Sequence, residues 1–195
     1  MSHAQDKTSV PASTPVSGPS NAASSMTPPG TIEPAGDRAS LIFRRILPHP
    51  PEKVWRALTE PGELEKWFMT SAQVEPHVGG RVELVGGPAQ FRWTGSVLTW
   101  EPCRVFEYEW ILAPRPEVPQ GENTVVRWEL EAVDGGTLLT LFHRNLTRPT
   151  ALGFAPGTHA YLDRLEALLA GTILPNWTVR YGEVAGAYPS WSRRG

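Results

Sequence analysis

Apolar and polar residues alternate over the second half of this 195-residue chain. Phe106, Tyr108 and Trp110 alternate with Glu107 and Glu109, and Val126, Trp128 and Leu130 with Arg127, Glu129 and Glu131. A period of two sends each set to one face of a strand. These segments therefore predict an antiparallel sheet with one wet face and one covered face. Phe91, Trp93 and Val97 share a face of an earlier strand, and Gly79-Gly80 and Gly86-Gly87 bracket another. Asp134-Gly135-Gly136 predicts a hairpin turn into a strand over residues 138–143. Residues 41–47 predict a first strand, stopped by Pro48, Pro50 and Pro51.

The period changes in two places. Val54, Ala57 and Leu58 recur at helical spacing after prolines that suit the first helical position. Pro61-Gly62 interrupts that helix, and residues 63–68 predict a second short one. Near the end, Leu162, Leu165 and Leu169 form one stripe, widened by Tyr161 and Leu168, which predicts a long helix over residues 159–169 with Gly171 as its cap. That helix is the natural cover for the sheet. A strand, two short helices, an antiparallel meander and a long closing helix make an α+β, helix-grip layout.

Residues 1–37 lack every Trp, Phe and Tyr of the chain and are rich in Pro, Ser and Ala. Without large apolar side chains, burial cannot offset an ordering entropy of roughly 1–2 kcal/mol per residue. The stretch reads as a disordered tail, residues 38–185 as the domain, and residues 186–195 as a short C-terminal tail.

Composition narrows the function classes. The chain is 40% hydrophobic, enough for a core, and its net charge of −2 gives no electrostatic reason to expect nucleic acid or an anionic membrane as partner. A single cysteine, Cys103, excludes an internal disulfide framework and a cysteine-cluster metal site. His49 and His77 lie in proline-flanked turns and no histidine spacing suits zinc, so neither metal nor cofactor is expected. No apolar run reaches the roughly 18–20 residues of a membrane span, and the first residues carry no secretory pattern. A cytoplasmic protein is expected, and the Ala, Arg and Pro richness suggests a bacterial source.

The run over residues 50–68 resembles the opening of the START-like (SRPBCC) superfamily, in the branch named for the C-terminal domain of the activator of heat-shock protein 90 ATPase. Gly79-Gly80-Arg81, residues 137–143 and residues 157–165 fit the same pattern. The resemblance covers about residues 38–185. It implies a START-like, Bet v-like fold, with a deep apolar cavity between a curved sheet and the long C-terminal helix. Relatives use the cavity for lipids, aromatic polyketides or hormones, and some are cyclases or dehydratases. Chaperone activators carry a separate N-terminal domain, and a Pro/Ser-rich tail stands in its place here.

On this layout Trp67, Phe68, Phe91, Trp93, Tyr108, Trp110, Trp128, Leu141 and His143 should face the helix, with His159, Leu162 and Leu165 facing back. Trp110 and Trp128 are the preferred stacking platforms. His143 and His159 are the polar points, able to hydrogen-bond a ligand or to act as a base. Asp163 and Glu166 read as a solvated helix face, and Cys103 as inert. No nucleophile–base–acid set emerges. The first expectation is a binding protein for a small apolar or aromatic molecule, gated by the segment 149–157. A cyclase/dehydratase-like enzyme using a cavity histidine ranks second, and a chaperone co-regulator or other protein-interaction module third. A homodimer is compatible with the sequence.

Overall fold

The computed structural model describes residues 27–87, 89–116 and 118–189. In chain order the elements are β1 (Thr31–Ala35), β2 (Arg38–Leu47), α1 (Pro51–Thr59), α2 (Pro61–Trp67), β3 (Ser71–Val74) and β4 (Arg81–Gly86). There follow β5 (Phe91–Glu101), β6 (Val105–Leu112), β7 (Glu122–Val133), β8 (Gly136–Thr147), α3 (Arg148–Ala170) and α4 (Trp177–Ala185). The eight strands form one antiparallel sheet in the order β1-β2-β8-β7-β6-β5-β4-β3. The meander β3 to β8 is thus sequential, and β2 joins it at the far side by pairing with β8.

Alternation decides which face is dry. Phe106, Tyr108 and Trp110 of β6, with Val126, Trp128 and Leu130 of β7, are buried. Their opposite neighbours carry an ion-pair ladder, in which Glu107 meets both Arg127 and Arg144 at 3.2 Å. The α3 stripe Leu162, Leu165 and Leu169 lies against the dry face and is at most 4% exposed. Helix α1 starts with Pro51 in its first turn. Gly171 ends α3 at φ 68°, the left-handed cap. Lys53 on α1 donates to the Leu169 carbonyl at 2.7 Å, tying the two helices together.

Gly95 sits where β5 lies tight against β6, because a Cβ there would collide with the Glu109 carbonyl. Gly95→Ala should therefore cost roughly 1–3 kcal/mol as an overpacking change. A drop of several degrees in Tm by thermal CD is the expected reading, and an unchanged Tm would mean the strands have slack at this point.

Three expectations need correction. Ordered structure starts before residue 38, since β1 pairs along β2 from Thr31↔Ile42 to Ala35↔Arg38; residues 1–26 of the predicted tail lie outside the described residues. At the other end Tyr188 is buried, although it falls in the predicted C-terminal tail, while residues 190–195 are outside the described set. The closing helix begins at Arg148, not at residue 159, so the segment expected to be a gate is two helical turns. Glu122 explains that early start. Its buried carboxylate accepts hydrogen bonds from the Thr147 and Thr150 hydroxyls and, at 3.4 Å, from the Thr147 N–H, holding a negative charge at the helix N-terminus.

Candidate functional site

Between the dry face of the sheet and α3 lies a cavity of about 360 Å³. Its sheet wall consists of Phe91 and Trp93 on β5, Trp110 on β6, Val126 and Trp128 on β7, and Leu141 and His143 on β8. Trp67 and Phe68 close one side, at the end of α2. They stack with ring centroids 4.9 Å apart, and the Trp67 indole N–H donates to the Ala57 carbonyl at 2.9 Å. Arg164 braces this corner from α3. It donates to the Trp67 carbonyl at 2.8 Å and to the Pro175 carbonyl at 2.7 Å. The roof is Phe154, Thr158, Tyr161 and Leu162 of α3, with Trp177 and Tyr181 of α4 at the mouth.

Nine of the twelve sequence-predicted residues therefore meet in one wall: Trp67, Phe68, Phe91, Trp93, Trp110, Trp128, Leu141, His143 and Leu162. The other three do not line it. Tyr108 and Leu165 are packed into the core, at 2% and 0% exposure. His159 is buried too, but on a different side of α3. Its Nδ1 lies 2.8 Å from the Tyr188 hydroxyl and its Nε2 lies 2.7 Å from the Thr27 hydroxyl.

The protons around His159 can be assigned by counting. Thr27 donates its one hydroxyl hydrogen to Asp163 at 2.7 Å, so it accepts from His159 Nε2–H. Tyr188 accepts from the Gly30 N–H at 2.9 Å and has its own hydrogen for His159 Nδ1. Both ring nitrogens are satisfied with the imidazole neutral, which leaves no lone pair for a ligand. Burial, with Arg45 and Arg180 nearby, outweighs the Asp163 carboxylate and brings the pKa down to about 4.

Asp163 and Glu166 are also not a solvated face. Asp163 takes an ion pair from Arg180 at 2.6 Å, and Glu166 lies 3.0 Å from the buried Arg45, which also donates to the Pro28 carbonyl at 2.7 Å. This cluster pins the segment around Thr27 to Gly30, α3 and α4 to one another. Sequence reasoning missed it. Arg45 occupies an inward parity position of β2, and that was the available signal.

His143 differs from His159. Its Nε2 lies 2.8 Å from the Thr124 hydroxyl, and among the described residues Nδ1 has no partner. Burial alone pushes its pKa down to about 3, so the ring is neutral at any ordinary pH. The Trp93 and Trp110 rings sit 4.7 Å apart, and both indole N–H groups are buried with no acceptor among the described residues. Among the described residues no Asp, Glu, Lys or Arg contributes to the wall. Among the described residues no group of three His, Cys, Asp or Glu side chains is placed to hold a metal ion. No described helix is long and apolar enough to cross a membrane.

Phe154, Tyr161, Trp177 and Tyr181 also line the wall and escaped sequence reasoning, apart from Tyr161 as part of the helix stripe. Asn176 was the available signal for α4: its side chain accepts from the Val179 N–H at 3.1 Å as an N-cap.

A family model described as "Activator of Hsp90 ATPase homolog 1-like protein" matches residues 48–170. No curated protein matches at a significant level. Among solved structures, protein MLL2253 from Mesorhizobium loti is 31% identical, with a TM-score of 0.62 over 69% of this chain and 99% of that one. CalU16 from Micromonospora echinospora is 25% identical, with a TM-score of 0.65 over 82% of this chain and 94% of that one. The Aha1 dimer from Colwellia psychrerythraea, at 21% identity and a TM-score of 0.56, covers 67% of this chain and 95% of its own and shares the fold.

Proposed function

This chain belongs to the Activator of Hsp90 ATPase homolog 1-like family, and we propose that it is a binding protein for a small, neutral, largely apolar aromatic molecule, acting in the cytoplasm. One observation carries this reading. A cavity of about 360 Å³ is walled by aromatic rings, and no ionised side chain lines it among the described residues. Pockets of roughly 300–1,000 Å³ with few polar groups suit flat apolar ligands, whereas a charged ligand would lose its hydration with nothing to replace it.

Turnover is the weaker reading. A general base works best with a pKa near the operating pH. His143, held near 3 by burial, is too weak a base, and His159 is engaged outside the cavity. Carriage of a ligand requires neither residue to move a proton.

Gly153 offers a clean test. It lines the cavity mouth on α3, and a Cβ there meets open space. Gly153→Trp should fill the mouth while slightly favouring the helix, since Gly is the poorest helix former after Pro. Native mass spectrometry of protein purified from its own host should show a co-purified small molecule in wild type and its loss in Gly153→Trp, with Tm unchanged or higher. An empty wild-type spectrum, together with no thermal shift across an aromatic and lipid panel, would sink the proposal.

A further inference from the structure

We propose that the cavity selects ligands bearing a neutral hydroxyl donor, an aromatic or enolic O–H, and that the bare Nδ1 of His143 is the acceptor that reads it. This inference rests on the cavity being a binding site and names the chemistry within it.

The assignment follows from one hydrogen. The Thr124 hydroxyl lies 2.8 Å from the Trp110 backbone carbonyl, which can only accept, so the hydroxyl hydrogen is committed there. The same oxygen lies 2.8 Å from His143 Nε2 and has only lone pairs left to offer. Nε2 must therefore carry the ring proton. In a neutral imidazole, Nδ1 is then a lone pair. Among the described residues it has no hydrogen-bond partner, and it is not one of the fully buried unpartnered atoms. The side chain is 4% exposed and lines the cavity, which puts Nδ1 at the cavity wall.

Thr124 is itself fully buried and faces Trp110 across the β6–β7 ladder, so the strand pairing fixes the tautomer. Desolvation keeps the ring from gaining a second proton. The cavity thus presents this fixed acceptor in a wall to which no described Asp, Glu, Lys or Arg contributes. A hydroxyl donates to it, a methyl ether cannot, and a carboxylate meets it lone pair to lone pair. A site built around a buried polar group rejects the analogue that leaves it unpaired.

The test uses the full chain and three probes of one ring system: 2-naphthol, 2-methoxynaphthalene and 2-naphthoate, titrated calorimetrically near neutral pH. Wild type should bind 2-naphthol about tenfold more tightly than the methyl ether, and the naphthoate more weakly still. His143→Phe should level the affinities of naphthol and ether, and Thr124→Val should narrow the gap by releasing the tautomer. Long-range ¹⁵N–¹H spectra of the ligand-free protein should show His143 protonated at Nε2 and bare at Nδ1, a readout that needs no variant to fold. Equal binding of naphthol and ether, a preference that survives His143→Phe, or a protonated Nδ1 would each overturn the inference while leaving the cavity intact as a binding site. Failure of all three probes to bind would remove the binding reading itself and this inference with it.

Discussion

Leu165→Asp is expected to leave no cooperative unfolding transition. Leu165 is 0% exposed at the centre of the α3 stripe, between Leu162 and Leu169. Truncating such a side chain to Ala alone costs about 2–5 kcal/mol. An aspartate at the same place adds an unpaired carboxylate, worth several kcal/mol more even if it takes up a proton to avoid the charge. The sum is comparable with the whole net stability of a domain, about 5–15 kcal/mol. Urea unfolding followed by far-UV CD and tryptophan fluorescence should show a shared sigmoid for wild type and for Leu165→Ala, the latter at lower urea. Leu165→Asp should show an early, shallow change or come out insoluble. A native-like, cooperative Leu165→Asp would mean that α3 is not seated on the sheet, and the cavity beneath it would go with that.

Which parts of the chain announced themselves can be traced to how much each buries. β6 and β7 were readable because half of each strand is buried behind charged neighbours, as with Trp110 beside Glu109 and Trp128 beside Glu129. The stripe of α3 was readable for the same reason. β3 was not, because its four residues bury Ala72 alone and its order comes from pairing with β4. β1 is Thr-Ile-Glu-Pro-Ala, poor strand material that is ordered by its register on β2 and by Gly30 packed under the Phe43 ring. The first turns of α3 read as a loop because Pro149, Gly153, Pro156 and Gly157 are helix breakers on average. Tertiary contacts override that preference: Ala151 and Ala155 are fully buried, and Glu122 holds the helix start.

The site shows the same division. Parity placed His143 on the inner face, and it lines the cavity. Helical spacing placed His159 on the inner side of α3, and it is indeed buried. Burial under a helix is not the same as facing a cavity, however. The neighbours that claim His159, Thr27 and Tyr188, lie 132 and 29 residues away in sequence, in stretches that read as tails. Periodicity carries no information about which distant segment fills a buried position. The family resemblance supplied the cavity but not the polar atom in it, because the tautomer of His143 depends on Thr124, on the neighbouring strand β7 and outside every motif.

Those two histidines also set how stability should depend on pH. In the unfolded chain each titrates near 6.5. In the folded protein burial holds His159 near 4 and His143 near 3. Between those values the unfolded state binds more protons than the native state, so stability falls as pH falls. The contribution is fully present above about pH 6.5 and is lost progressively down to the folded-state values. At about 1.4 kcal/mol per pH unit per group, the two together remove of order 5 kcal/mol or more by pH 4. Glu166 acts in the opposite sense, because burial raises its pKa and the native state then takes up a proton more readily than the unfolded chain. One carboxyl, partly exposed and paired with Arg45, does not offset two buried imidazoles. Urea midpoints measured at intervals from pH 7.5 to pH 4 should therefore fall steeply below about 6.5, a full unit or more above where ordinary carboxylates titrate. His159→Gln and His143→Phe should each flatten part of that slope, and the double variant most of it, even if each starts less stable at neutral pH. A midpoint that stays level from pH 7 to pH 5 in wild type would show that the imidazoles are not buried in the neutral form, and the hydrogen-bond assignments at both Thr27 and Thr124 would fail together.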